Sequence, residues 1–279
     1  MRRFTQVDVF TSEPQRGNPV AVVHDADGLT HEEMARFARW TNLSETTFLL
    51  PPTDDEADYR LRIFTPAEEL PFAGHPTIGS AHAWLGAGGR PRRDGHLVQE
   101  CGAGLVRLRR EPRLAFAAPP LLRSGTASPA EWAVVAAALA VPVDVLVDVA
   151  WVDNGPGWIA AVLPDAATVL ALRPDWSAFG GLEIGVLGFY PAAEAAAGGP
   201  LVEVRAFCPS LGVVEDPVTG SLNAGLAQWL MGTGRLPASY VASQGTCLGR
   251  AGRVHVDRVG EDVWVGGDAI TCVRGEVLI

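Results

Sequence analysis

No run of apolar residues in this 279-residue chain reaches the roughly 18 needed to cross a bilayer as a helix. The opening stretch MRRFTQVDVF carries charge but lacks the apolar core of a secretory leader, so a cytoplasmic protein is expected. Cysteine is scarce. Cys101, Cys208, Cys247 and Cys272 show no CxxC spacing and no histidine partner, which excludes a zinc cluster or a disulfide framework and leaves free thiols as the expectation. His24, His31, His82, His96 and His255 have no partners at ligand spacing, so no metal is assigned to them. Basic residues are also few. Lys+Arg total 22 against 32 Asp+Glu, a net charge of −10, which argues against nucleic acid or an anionic membrane as partner. The dense basic clusters, Arg90 to Arg93 and Arg107 to Arg110, are short and read as solvated surface. Neither GxGxxG nor GxxxxGK[ST] occurs, so nothing points to a nucleotide.

What the chain does contain is 48% hydrophobic residues and a sequence echo at half its length. Residues 62–85 read RIFTPAEELPFAGHPTIGSAHAWL and residues 205–227 read RAFCPSLGVVEDPVTGSLNAGLA. Arg62, Phe64 and Pro66 recur as Arg205, Phe207 and Pro209. His75, Pro76, Gly79 and Ser80 recur as Asp216, Pro217, Gly220 and Ser221, each 141 positions on (216 − 75 = 141). Gly17 in GNPVAVV is echoed more weakly by Gly157 in GPGWIAAVL. A repeat of that period means two copies of one domain, not a solenoid. In each copy a strand-like run leads to a polar residue and proline and then to a glycine at the start of an apolar helix. Two such helix starts facing each other across a domain interface would attract a small anion.

The pattern along the chain predicts strands at 4–10 and 20–24, a helix from Thr30 with a Thr30/Glu33 capping box, and strands at 48–50, 59–64 and 97–108. Met34, Phe37 and Trp40 sit at helical spacing and are expected in the core, and 76–85 reads as a short buried helix. Prolines between 112 and 120 mark a domain boundary, giving domains of 1–115, completed by a last strand at about 266–279, and 120–265. The second half opens with a Ser128/Glu131 capping box and an alanine-rich helix. Strands at 149–152, 159–163 and 202–207, helices at 166–172 and 220–231, and an antiparallel tail with glycine turns complete it. The fold class is therefore α+β, each half a mixed, curled sheet wrapped around one central helix.

Glu45 stands between a turn and the apolar run Phe48 to Leu50, where burial would raise its pKa and make it a proton shuttle near neutral pH; it reads equally as a turn cap. His75 and Asp216 put different titratable groups at echoed positions, as an asymmetric acid/base site would. Gly220 and Ser221 could offer N–H groups and a hydroxyl to a carboxylate, or serve as an ordinary helix cap. Asp8, Asn18 and Asn154 to Gly157 are loop residues open to both lining a cleft and making turns.

The stretches DVFTSEPQRGNPVAVV (8–23), NLSETTFLL (42–50), RIFTPAEELPFAGHPTIGSAHAWL (62–85), VRAFCPSLGVVEDPVTGSLNAGLAQWL (204–230) and SQGTCLGRAGRVHV (243–256) together resemble the PhzF-like (phenazine biosynthesis) family, of the diaminopimelate epimerase-like fold. The resemblance covers essentially the whole chain. It implies two pseudo-symmetric halves with the active site in the cleft between them, a homodimer, and no cofactor. It matches a catalytic glutamate to Glu45 and assisting residues to His75, Asp216 and Ser221, with Gly74, Pro76, Thr77 and Gly220 at the helix starts that would hold a small carboxylate-bearing substrate. It implies a proton moved between carbons, as in isomerisation of a dihydro-hydroxyanthranilate. Related epimerases use a cysteine at each helix start, but Ala73 and the Asp216–Pro217 stretch occupy those places here. Epimerisation or a ring rearrangement on the same site, and a binding protein without turnover, are the alternative readings.

Overall fold

A computed structural model describes residues 1–211 and 213–279. The chain divides into two compact units, residues 1–117 with 266–279, and residues 118–265. Among the described residues no helix is long and apolar enough to cross a membrane.

The first unit opens with antiparallel strands β1 (Arg2–Val9) and β2 (Asn18–Val23). Buried Asp8 holds the loop between them, its Oδ2 accepting from the N–H groups of Arg16 and Gly17 at 2.8 and 3.0 Å. A Cβ at Gly17 would lie 2.1 Å from the Val9 carbonyl oxygen, so only glycine fits there. Helix α1 (His31–Thr41) starts at the expected capping box and buries Met34, Phe37 and Ala38. Trp40, expected in the core, is 77% exposed and stacks on Phe37 at 5.8 Å. The buried stripe runs through positions 34, 37 and 38, and Trp40 lies beyond its rim. Next, β3 (Glu45–Leu50) runs parallel to β2, and β4 (Tyr59–Phe64) antiparallel to β3. The two-residue β5 (Glu69–Leu70) follows on β4.

Helix α2 (Gly74–Gly86) has no side chain ionised at neutral pH apart from what its two histidines could carry, and it buries every residue from Gly74 to Ala81. A helix apolar on all sides must be enclosed, and α2 packs on β1, β2, β3 and β4. A Cβ on Gly79 would meet Val20 Cγ1 at 2.4 Å, so this glycine sets how closely α2 approaches β2. The sheet continues with β6 (His96–Cys101) parallel to β4, then β7 (Gly104–Arg109) and β8 (Ala115–Ala117), each antiparallel to the strand before it. Residues 269–277 return to lie antiparallel on β1.

In the second unit, β9 (Arg123–Thr126) lies antiparallel on β10 (Asp148–Asp153), with α3 (Pro129–Leu139) between them in sequence and capped by Ser128 and Glu131. β11 (Trp158–Val162) is antiparallel to β10; α4 (Ala166–Ala171) follows, capped by Asp165, and β12 (Glu183–Phe189) runs parallel to β11. After α5 (Ala192–Ala196) come β13 (Val202–Cys208), antiparallel to β12, and β14 (Val213–Asp216), antiparallel to β13. Helix α6 (Gly220–Gly232) precedes β15 (Ser239–Gln244), parallel to β13, and β16 (Gly252–Val259), antiparallel to β15. β17 (Asp262–Gly266) and β18 (Ala269–Val277), the strand on β1, end the order. Strand β12 has no clear alternation in sequence because two glycines interrupt it. A Cβ on Gly185 would lie 2.2 Å from Leu222 Cδ1, and one on Gly188 2.2 Å from the Asp165 carbonyl oxygen.

The architecture is α+β, and the two units share one order of strand pairings. The β2–β3, β3–β4, β4–β5, β4–β6 and β6–β7 relations of the first recur as β11–β12, β12–β13, β13–β14, β13–β15 and β15–β16 in the second, parallel for parallel and antiparallel for antiparallel. The echo of His75 in Asp216, however, is not a structural equivalence. His75 is the second residue of α2, and the second residue of α6 is Ser221, 146 positions on (221 − 75 = 146). Asp216 ends β14, before the helix. β14 has four residues where β5 has two, and the connection into α6 absorbs the difference.

Candidate active site

Glu45 is the first residue of β3, beside Val20 of β2 in the parallel register. Neighbouring residues in that register share a face of the sheet, and Val20 packs against Gly79, so this is the face covered by α2. His75 enters from the first turn of α2. Its Nε2 stands 3.2 Å from Glu45 Oε2, the two side chains being 5% and 14% exposed. Its Nδ1 lies 3.3 Å from Asn18 Nδ2, and the Pro19 carbonyl also accepts from the ring. Burial pushes His75 down to about 3, so its imidazole is neutral at physiological pH.

The two atoms lie within ion-pair distance but are not aligned as a hydrogen bond. The Asn18 amide can donate to Nδ1. Being neutral, the imidazole beside Glu45 lets that carboxyl gain or lose a proton without forming or breaking an ion pair to His75. A carboxyl that can exchange a proton in this way can serve as a proton shuttle.

In the second unit the start of α6 is built by hydrogen bonds. Asp216 Oδ2 accepts from the Thr219 hydroxyl at 2.5 Å, and that hydroxyl accepts from Gln244 Nε2 at 2.9 Å. Gln244 Oε1 accepts from the Thr219 N–H and from Asn223 Nδ2 at 3.0 and 2.9 Å. Ser221 Oγ accepts the indole N–H of Trp158 at 3.0 Å, and its carbonyl accepts from Asn154 at 2.9 Å. The Ser221 hydroxyl proton is thereby left to donate elsewhere.

The two central helices start with neither a side-chain cap nor an acidic first turn; α5, also without a side-chain cap, has Glu194 there. α1, α3 and α4 start with a side chain that accepts from their first turn, whereas α2 and α6, after Ala73 and Thr219, have no such bond and no acidic residue there. A helix start without such a cap suits an external acceptor. Gly74 and Pro76 form that first turn in α2, but the Thr77 hydroxyl faces inward and accepts from Gln99 at 3.0 Å. The structure thus joins Glu45 to His75, and Asp216 to the surroundings of Gly220 and Ser221. It also brings in Trp158, Asn223 and Gln244, and, behind α2, the Thr47–Ser80 hydroxyl pair at 2.9 Å. No local sequence pattern marks these residues, since each is recruited by a partner far along the chain.

The profile described as phenazine biosynthesis-like protein, PhzC-PhzF, matches residues 7–275. The chain belongs to that family. This PhzF-family chain is 39% identical over 299 aligned residues to antisense-enhancing sequence 1 of Schizosaccharomyces pombe, covering 99% of this chain and 98% of the relative. It is 36% identical over 268 residues to trans-2,3-dihydro-3-hydroxyanthranilate isomerase of Pseudomonas aeruginosa, covering 91% and 90%. Among solved structures it is similar to a phenazine biosynthesis protein of the PhzF family from Enterococcus faecalis, with a TM-score of 0.80, 25% identity and full coverage of both chains. Relatives named isomerases mark the PhzF-family chain as an isomerase-type enzyme.

Proposed function

We propose that the protein is a cofactor-independent isomerase that moves a proton between carbons of a small carboxylate-bearing molecule. The observation that carries this reading is the buried Glu45–His75 contact at 3.2 Å, with a histidine that burial keeps neutral. Glu45 takes a proton from one carbon and returns it to another, while His75 stays neutral beside it. Asp216 holds Thr219 at the head of α6, and the N–H of Gly220 with the hydroxyl of Ser221 binds substrate oxygens. The uncapped start of α2 at Gly74 and Pro76 supports the same chemistry, with Thr77 fixing the turn from behind. A chain of net charge −10 can hold an anion in this way because the attraction is local to N–H groups and helix dipoles.

The relative from P. aeruginosa supplies the probe, trans-2,3-dihydro-3-hydroxyanthranilate. The purified protein is expected to convert it to an isomer of unchanged mass, with solvent deuterium at the receiving carbon unless the shuttled proton is shielded from exchange. Absence of product from the wild-type protein would refute this substrate assignment. Isomer formation at an undiminished rate by Glu45→Gln would refute the shuttle.

A further inference from the structure

The strand registers show an equivalence that the sequence echo does not contain. Thr46 pairs with Phe64 in the first unit, and Ile184 pairs with Phe207 in the second. One residue earlier, Glu45 lies beside Val20 of β2, and Glu183 lies beside Trp158 of β11. Glu183 is therefore the second unit's counterpart of Glu45, the residue that begins the third strand. Its side chain shares a face with that of Trp158, whose indole reaches Ser221. Two residues on, Gly185 is on the same face and packs against Leu222. Both neighbours thus aim Glu183 at the first turn of α6.

Glu183 is 4% exposed. One carboxyl oxygen accepts from the Ser210 hydroxyl; Oε2 is buried and has no hydrogen-bond partner among the described residues. A buried carboxylate oxygen in that position carries a desolvation cost that protonation relieves. Neither β11 nor α6 contains a titratable side chain. On β13 the titratable groups are Glu203, Arg205 and the buried Cys208, and Arg205 is engaged by Glu215 at 2.8 Å. Burial is the cause that pushes Glu183 up to about 7.

We propose that Glu183 is a proton-dependent gate on anion binding at the start of α6: protonated, it admits a carboxylate there, and ionised, it opposes one. The uncapped first turn of α6 attracts an anion, and the buried charge two residues before Gly185 would stand behind that turn with no counter-ion to offset it. The inference rests on the reading that the start of α6 binds the substrate's carboxylate. It does not depend on whether the protein turns over any particular substrate.

The test uses anthranilate, an unreactive fluorescent carboxylate that stays ionised across the range, titrated into the full-length protein between pH 5.5 and pH 9. Above about pH 7 the wild-type affinity is expected to fall toward tenfold per pH unit, as expected when an anion binds only the protonated form. Glu183→Gln, which keeps an oxygen for Ser210 but cannot ionise, should bind at the low-pH affinity throughout. Glu45→Gln should keep the wild-type profile. An unchanged profile in Glu183→Gln, a flat profile in the wild type, or loss of the pH dependence in Glu45→Gln instead would overturn the gate while leaving isomerase activity to its own assay. Absence of saturable anthranilate binding at every pH would overturn both the gate and the carboxylate site on which it rests.

Discussion

Replacing Glu45 with glutamine separates the shuttle from the scaffold. One carboxyl oxygen of Glu45 lies 3.2 Å from His75 Nε2, and the side chain is 14% exposed. The amide has the same shape and can take the same place beside the neutral ring. A neutral hydrogen bond contributes about 0.5–1.5 kcal/mol net, so the change in folding stability should stay below about 1.5 kcal/mol. Turnover is another matter, because the amide cannot accept a proton from carbon. General acid–base catalysis supplies about 10²–10⁴-fold, or about 2.7–5.4 kcal/mol of barrier, and a sole shuttling group belongs at or above the upper end. The assay pairs kcat/KM on trans-2,3-dihydro-3-hydroxyanthranilate with Tm and the affinity for anthranilate. The expected result is an unchanged Tm within a few degrees, near-unchanged affinity, and a rate lost by at least a thousandfold. A variant within tenfold of wild-type kcat/KM would refute the reasoning. So would a large loss of stability, since it would show that the Glu45–His75 contact serves mainly to hold the fold.

His75 is held at about 3 in the folded chain against 6.5 in a model peptide. Between those values the unfolded chain binds more protons, so this group's contribution to stability is full above pH 6.5 and is lost as pH falls toward 3. Urea denaturation of His75→Asn across that window should show a shallower pH dependence than the wild type; an identical dependence would mean that His75 is not the group responsible. Arg205 donates to both Glu215 oxygens at 2.9 and 2.8 Å and to the carbonyls of Val169 and Leu172 at 3.1 Å. Arg205→Ala strands a buried carboxylate and should cost about 3–5 kcal/mol by denaturation, with Arg205→Lys recovering little because an ammonium cannot fork. At Gly225 an added Cβ would lie 2.3 Å from the Val152 carbonyl oxygen, so Gly225→Ala should destabilise by about 1–3 kcal/mol or more, and a neutral result would mean that α6 can lift from β10 freely.

Much of the local structure was legible because its causes are local. The capping boxes at Thr30/Glu33 and Ser128/Glu131 act over three residues, and α2 and α6 announce themselves by apolar composition. Glu45 and His75 could be singled out by type and neighbourhood, but their contact spans 30 positions (75 − 45 = 30) and needs the β3–α2 packing to form. The echo at 141 positions found the right segments and the wrong partner for His75, because sequence similarity does not register the longer β14. Glu183 escaped notice for a related reason. The glycines that let α4 and α6 approach β12 also erase the alternation by which a strand is recognised.

The return of β18 to β1 has a consequence for how the protein is made. Residues 118–265 form an uninterrupted unit, whereas the unit that contains Glu45 and His75 includes residues 266–279. On the ribosome, the second unit's strands are all synthesised while β1 still has β2 on one side and an unfilled edge on the other. The older half of the nascent chain must wait for the younger half to be finished. An open edge is a template for pairing with other chains. Damage at the carboxyl end, a frameshift past Gly266 for instance, would therefore strike the amino-terminal unit and its proton shuttle, leaving intact the domain that lies closer in sequence.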